Sequence, residues 1–251
     1  MSSSTIKSET EKASSSQDPA PADSNINHAA SIEYWSSKPS THSTMLGELG
    51  EYPWYTRIDL QGSKNFLTKV RRLVPSLSGK EKFKLGADCG AGVGRVTEGF
   101  LSHVCEVVDA VEPVEKFTQV LKDSKLKQEG IIGDIYTVGL EGWHPEKKYD
   151  LIWTQWCVGH LTDAQVVDYI VRCRSSLAEN GLLVFKENLS TDPQNKDMYD
   201  DEDSSVTRAD AKFKQLFAAA GMQILKSEIQ TGFPKSFDLL PVKSYALRPK
   251  V

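Results

Sequence analysis

The sequence predicts an α/β fold, one mostly parallel sheet covered by helices on both faces. Three observations carry this. Seven strand-length apolar runs alternate with helix-like patterns from Phe83 to the C-terminus. The first run ends in a glycine turn, Gly90-Ala-Gly-Val-Gly94, that leads into a helical pattern. The length, 251 residues at a formal net charge of −4, suits one well-buried core.

Residues 1–28 are rich in Ser, Lys, Glu, Pro and Ala, and they read as a disordered tail. Residues 29–251 form one domain, whose first part (about 29–78) reads as a helical lid. Within it, Ile32–Leu49 reads as one or two short helices broken at Pro39, and Tyr52-Pro-Trp-Tyr55 as an aromatic loop. A helix over Asp59–Leu77 follows, with Leu60, Phe66, Leu67, Val70, Leu73 and Val74 on one face. The strands are then Phe83–Cys89, Glu106–Glu112, Ile131–Ile135, Asp150–Gln155, Leu182–Glu187, Met222–Ile229 and Val242–Leu247. Helices fall near Gly94–His103, Val114–Lys125, Asp163–Leu177 and Val206–Ala220. Thr162 or Asp163 caps the third of these, Asn180-Gly181 ends it, and Asn188–Ser204 is a long polar loop. A strand, a glycine turn and a helix heading such a series make the sheet Rossmann-like.

The glycine turn is not the dinucleotide fingerprint, because the residue where the third glycine of Gly-x-Gly-x-x-Gly belongs is Arg95. No Gly-Lys-Ser/Thr of a phosphate loop is present either. The Gly-x-Gly-x-Gly variant resembles the first motif of class I S-adenosylmethionine (SAM) methyltransferases. Glu112, at the end of the second strand, stands about twenty residues past the turn, where a carboxylate holds ribose hydroxyls. Asp88 can orient the turn or meet the SAM ammonium, and Arg95 can pair with its carboxylate. Gly139-Leu140-Glu141 can present backbone N–H groups to an adenine.

Composition excludes several classes. The mild negative charge offers no basic field for nucleic acid. No apolar run is long enough to span a membrane, and the Ser-rich start is not a signal peptide. Cys89, Cys105, Cys157 and Cys173 lack CxxC spacing and read as reduced core thiols, so no metal site is expected.

Further motifs sharpen the reading. They are Tyr34-Trp35, Trp153-Thr-Gln-Trp-Cys-Val-Gly-His-Leu-Thr162, Lys186-Glu-Asn188 and Asp203-Ser-Ser-Val-Thr-Arg208. Together with the glycine turn, they resemble the protein N-terminal (α-amino) methyltransferases acting on Xaa-Pro-Lys starts exposed by Met removal. The resemblance runs from about Ser31 to Arg248. It implies a seven-stranded class I methyltransferase sheet that uses SAM and leaves S-adenosylhomocysteine (SAH). It implies SAM contacts from Gly90, Gly92, Arg95, Glu112 and Gln155, with Leu140 near the adenine. Trp35 and Trp156 would line a peptide channel, Asn188 would bind the substrate N-terminus, and Asp200 and Ser205 would be further substrate contacts. Asp203 would be a catalytic carboxylate, His160 would help remove a proton or hold the site, and Asn188 would share in that work. Two positions depart from the family pattern: Glu112 stands where an Asp is usual, and Leu240-Pro241 where a Tyr is frequent.

The chemistry agrees with this. A neutral α-amine is the nucleophile, and with a pKa near 8 it needs only a modest base and good positioning. Asp203 and His160 are both plausible bases, and the sequence does not order them. The acidic run Asp197, Asp200–Asp203 suits a cationic peptide start. Proline at substrate position two lacks an N–H and fixes φ, so a narrow channel can select it by shape. The substrates expected are therefore protein N-termini, ribosomal proteins among them. The enzyme is expected to be a monomer in the cytoplasm, with the nucleus not separated from it. A small-molecule SAM methyltransferase and an inactive SAM-binding scaffold stay as alternatives.

Overall fold

The computed structural model describes residues 20–79 and 81–250. The part of the expected tail at positions 1–19 lies outside the described residues. Positions 20–28 are held in place, which corrects the expected start of order. Ala22–Asn25 form a 3₁₀ turn. The Asp23 carboxylate accepts from the backbone N–H of Asp163 at 2.8 Å, and Asn27 N–H donates to Ser204 Oγ at 2.8 Å. The compositional reading missed this because single polar residues carry it.

Asn27 caps α1 (His28–Ser37), its side chain accepting from Ala29 and Ala30. A 3₁₀ stretch (Thr44–Glu51) bends at Gly47 and leads into α2 (Pro53–Leu73). The expected aromatic loop is thus the first turn of α2. Pro53 sits at its start, where a missing N–H costs nothing and the fixed φ favours the helix. Leu73 is exposed, because α2 ends there and the chain turns at Pro75.

The sheet strands are β1 (Phe83–Cys89), β2 (Cys105–Val111), β3 (Ile132–Tyr136), β4 (Tyr149–Gln155), β5 (Leu177–Asn188), β8 (Met222–Ile229) and β9 (Val242–Pro249). Their order is β3-β2-β1-β4-β5-β9-β8, parallel except that β9 runs antiparallel between β5 and β8. Helix α3 (97–104) opens as a π-helical turn. It is followed by α4 (Glu115–Asp123), α5 (Lys125–Gln128), α6 (Asp163–Ser175) and α7 (Asp210–Ala219). Thr162 and Gln165 form a reciprocal capping box on α6. That helix stops at Ser175, and Asn180 takes its left-handed φ of 64° in a turn within β5 instead of ending the helix.

Side chains alternate along the central strands, which builds two cores. Leu151, Trp153, Leu182 and Val184 pack with Phe66, Leu67 and Val70 of α2. Ile152, Leu183 and Phe185 pack with Val166, Tyr169 and Phe213 of α6 and α7. Part of the expected polar loop is an antiparallel hairpin, β6 (Met198–Asp200) with β7 (Ser205–Thr207). Its three-residue strands are too short to show a period in sequence.

Connections leave β1 toward β2 and β4 toward β5, in opposite directions. The crevice outside the carboxyl ends of β1 and β4 is the switch point where such sheets bind ligands.

Candidate active site

A cleft opens at that switch point. Among its lining residues are Gly90, Gly92, Arg95, Glu112, Leu140 and Gln155, the six that the family resemblance assigns to the cofactor; Asp88 is not among them. The glycines are required there. Gly90 and Gly92 have φ of 73° and 54°. A Cβ on Gly90 would lie 2.4 Å from Cys157 Cβ, and one on Gly92 2.6 Å from Met45 Sδ. The turn is therefore a bare backbone cradle, packed too closely against Cys157 and Met45 to carry side chains.

Glu112 ties this cradle together. One carboxylate oxygen accepts from Gly92 N–H at 2.9 Å and the other from Val114 N–H at 2.8 Å. Each oxygen keeps a second lone pair for a ligand hydroxyl. Burial pushes the carboxyl up to about 7, against the pull of those two N–H groups. Asp88 serves the turn instead of the cleft. It accepts from Thr97 Oγ1 at 2.5 Å, and burial pushes it up to about 6.

Arg95 is no surface residue. It is 5 % exposed and donates to the Asp59 carboxylate at 2.7 Å. Gln155 donates its amide N–H to the same carboxylate at 3.1 Å, and its oxygen accepts from Trp153 Nε1 at 3.0 Å. Asp59 reads as a helix start in the sequence, because Tyr52-Pro-Trp-Tyr55 before it reads as a loop. In the structure it lies well inside α2, on the buried face.

A second depression adjoins the cleft and shares Trp35, Met45, Trp156 and His160 with it. Its other walls include Tyr55, Glu187, Asn188, Asp203 and Ser205. Trp35, Trp156, His160, Asn188, Asp203 and Ser205 are thus brought together around one channel. Asp200 stands apart on exposed β6, where its carboxylate accepts from Glu202 N–H.

His160 is fixed from two sides. Trp35 Nε1 donates to its Nε2 at 3.3 Å, so the other nitrogen, Nδ1, carries the proton and donates to Ser31 Oγ at 2.9 Å. Burial holds its pKa below the usual value, against the opposing pull of Asp203. One Asp203 oxygen lies 3.9 Å from His160 Nε2. The other is buried with no hydrogen-bond partner among the described residues, as is Trp156 Nε1. Both residues line the channel, and a buried polar atom without a partner there calls for an incoming group.

Trp156 divides cleft from channel in a left-handed conformation, φ 54°, that costs a bulky residue energy. Glu187, which sequence reasoning passed over, holds it there. Its carboxylate accepts from Cys157 N–H at 3.1 Å and Val158 N–H at 3.3 Å. Burial pushes Glu187 up to about 7, and those N–H groups oppose it. Buried Arg208 braces the next turn, donating to Val158 O, Leu161 O and Asp163 Oδ1. The motifs Trp153–Thr162, Lys186–Asn188 and Asp203–Arg208 thus meet as one scaffold. On the far wall Phe233 stacks on Tyr55, ring centres 4.6 Å apart, and Tyr55 stacks on Trp156 at 6.1 Å. An aromatic residue near the departing Leu240 thus reaches this wall from the β8–β9 connection.

Comparison with known proteins gives a consistent picture. The family model described as AdoMet dependent proline di-methyltransferase matches residues 23–248. An alpha N-terminal protein methyltransferase 1 of Schizosaccharomyces pombe is 40% identical, covering 88% of this chain and 96% of its own. An N-terminal Xaa-Pro-Lys N-methyltransferase 1 of Xenopus tropicalis is 38% identical, covering 86% and 92%. Among solved structures, a SAM-dependent methyltransferase from Leishmania major superposes with a TM-score of 0.76 at 32% identity, covering 88% of this chain and 82% of that one.

Proposed function

The chain belongs to the AdoMet-dependent proline di-methyltransferase family, and from that membership and the site we infer an enzyme that methylates the α-amino group of proteins beginning Xaa-Pro-Lys. Its cofactor is S-adenosylmethionine, whose sulfonium supplies an activated methyl group. The cradle at Gly90 and Gly92, the Glu112 lone pairs and the Arg95 guanidinium fit the ribose and amino-acid parts of that group.

One observation carries the reading: the cofactor cleft shares Trp35, Trp156 and His160 with a channel where, among the described residues, an Asp203 oxygen lies buried and unpartnered. In our assignment that oxygen receives the substrate's α-ammonium. At Nε2, neutral His160 accepts the proton the amine must lose, once the bound peptide displaces the Trp35 N–H that occupies that lone pair in the free protein. Asn188 and Ser205 take the first peptide groups, and the Trp35 and Trp156 rings wall the amine off from water. Asp200 acts at longer range, as one of several carboxylates drawing in the lysine.

We extend the reading to ribosomal proteins with such N-termini as substrates, and to action in the cytoplasm and the nucleus. A monomer suffices, since one chain supplies both cleft and channel. The test compares kcat/KM for Ser-Pro-Lys, Ser-Ala-Lys and Ser-Pro-Glu peptides. The proline–lysine peptide should lead each of the others by at least about tenfold, about 1.4 kcal/mol of discrimination. Equal rates would refute channel recognition.

A further inference from the structure

At the inner end of the cleft, buried polar side chains from several elements meet on Asp59. Its carboxylate accepts from Arg95 of the glycine-turn helix, Gln155 of β4 and Lys186 of β5. Asp59 and Lys186 are both 0 % exposed. The alternation of β5 explains Lys186: it continues the Leu182 and Val184 face, which looks onto α2.

The hydrogen bonds fix the state of that lysine. Its Nζ donates to Asp59 Oδ1, to Asp59 O at 2.8 Å and to Ser63 Oγ at 2.9 Å. The Ser63 hydroxyl spends its own proton on Asp59 O at 3.2 Å, so its oxygen is an acceptor here. Three acceptors around one amine nitrogen need three protons, which only the ammonium has. The cluster in direct contact therefore holds one anion and two cations. The neighbouring carboxylates Asp88 and Glu112 accept instead from Thr97 Oγ1 and from the N–H groups of Gly92 and Val114; Asp88 feels Arg95 only at longer range, without a hydrogen bond. A surplus buried charge is costly unless something answers it. Arg95 is the cation on the cleft wall; neither Lys186 nor Asp59 lines the cleft or the channel.

We propose that Lys186 is a positioning residue for cofactor binding: by sharing Asp59 it leaves Arg95 with unneutralised positive charge for the carboxylate of SAM. Without Lys186, Asp59 of the lid helix would cancel Arg95, and the cleft would present a neutral pair. The inference rests on the reading that the cofactor carboxylate meets Arg95.

The experiment measures binding of SAH and of 5′-methylthioadenosine, which lacks the carboxylate, to the full chain by calorimetry and competition. Lys186→Met should weaken SAH by about tenfold, as expected for losing one nearby charge in a protein interior. Its affinity for 5′-methylthioadenosine should stay within about twofold of the parent. The double variant Asp59→Asn/Lys186→Met frees Arg95 again and should recover SAH affinity to within about threefold. Unchanged SAH binding in Lys186→Met, or equal loss of both ligands as general damage would give, overturns the proposal. If Lys186→Met does not fold, the double variant decides: SAH affinity more than about tenfold below the parent overturns it. Arg95→Met separates the two levels. If it leaves SAH affinity unchanged, the carboxylate reading itself fails. If it weakens SAH while Lys186→Met is silent, only the role of Lys186 fails.

Discussion

Replacing Asp203 with Asn removes one charge and little else. The side chain keeps its size and one acceptor oxygen, and it stands beside His160 at 3.9 Å. The oxygen without a partner is where an α-ammonium gains most, because its desolvation is already complete in the free protein. Unit charges about 4 Å apart interact by about 4 kcal/mol at an effective dielectric constant near 20. Stripping water from the incoming ammonium offsets part of this, leaving about 2–3 kcal/mol, or roughly 30- to 150-fold in kcat/KM for peptide. Asp203 lines the channel and not the cofactor cleft, so SAH affinity should stay within about twofold. Initial rates at low peptide concentration, read by mass spectrometry, give the first number, and calorimetry with SAH gives the second. A peptide kcat/KM within about threefold of the parent would refute the assignment of the orphaned oxygen. A matching fall in SAH affinity would instead move Asp203 into the cofactor site.

Three further predictions follow from buried carboxylates. Glu112, pushed up to about 7 by burial, accepts ribose hydroxyls best when ionised. SAH should therefore bind more weakly as pH falls below about 7, by up to tenfold per unit, and Glu112→Gln should flatten that profile in calorimetry. In the ligand-free protein the sign reverses. A folded pKa raised from 4.5 to about 7 contributes stability that is complete below 4.5 and lost as pH rises through about 7, a trend that thermal melts across that range should show. Glu187→Ala strips Cys157 and Val158 of their acceptor and releases the strained Trp156 turn. A loss of about 2–4 kcal/mol is expected, a Tm lower by about 5–10 °C; an unchanged melt would show that the turn holds itself.

Much of this architecture is legible in the sequence, because the sheet writes its own pattern. The β1 bounds, Phe83–Cys89, follow from an apolar run closed by glycines, and the start of α6 from the cap at Thr162 or Asp163. The cleft was legible for the same reason: chain topology fixes where a glycine turn and the next strand end must meet. What stayed hidden depends on single polar residues meeting across long separations. Asp59 reads as a helix start, yet its partners Gln155 and Lys186 lie 96 and 127 residues away. Lys186 and Glu187 look like the charged end of a strand. Only the pleat, which sends one to α2 and the other to the Trp156 turn, gives them separate tasks. The strap at Asp23 and Asn27 and the β6–β7 hairpin were missed because neither has a periodic apolar signature.

The most direct test of the account places the transferred methyl group. The full chain is incubated with SAM and a Ser-Pro-Lys peptide, with an N-acetylated copy as control, and the products are fragmented in the mass spectrometer. The account predicts mass gains in one-methyl steps on the free-amine peptide alone, all carried by the N-terminal nitrogen. Methyl groups on the lysine side chain, or on the blocked peptide, would contradict it.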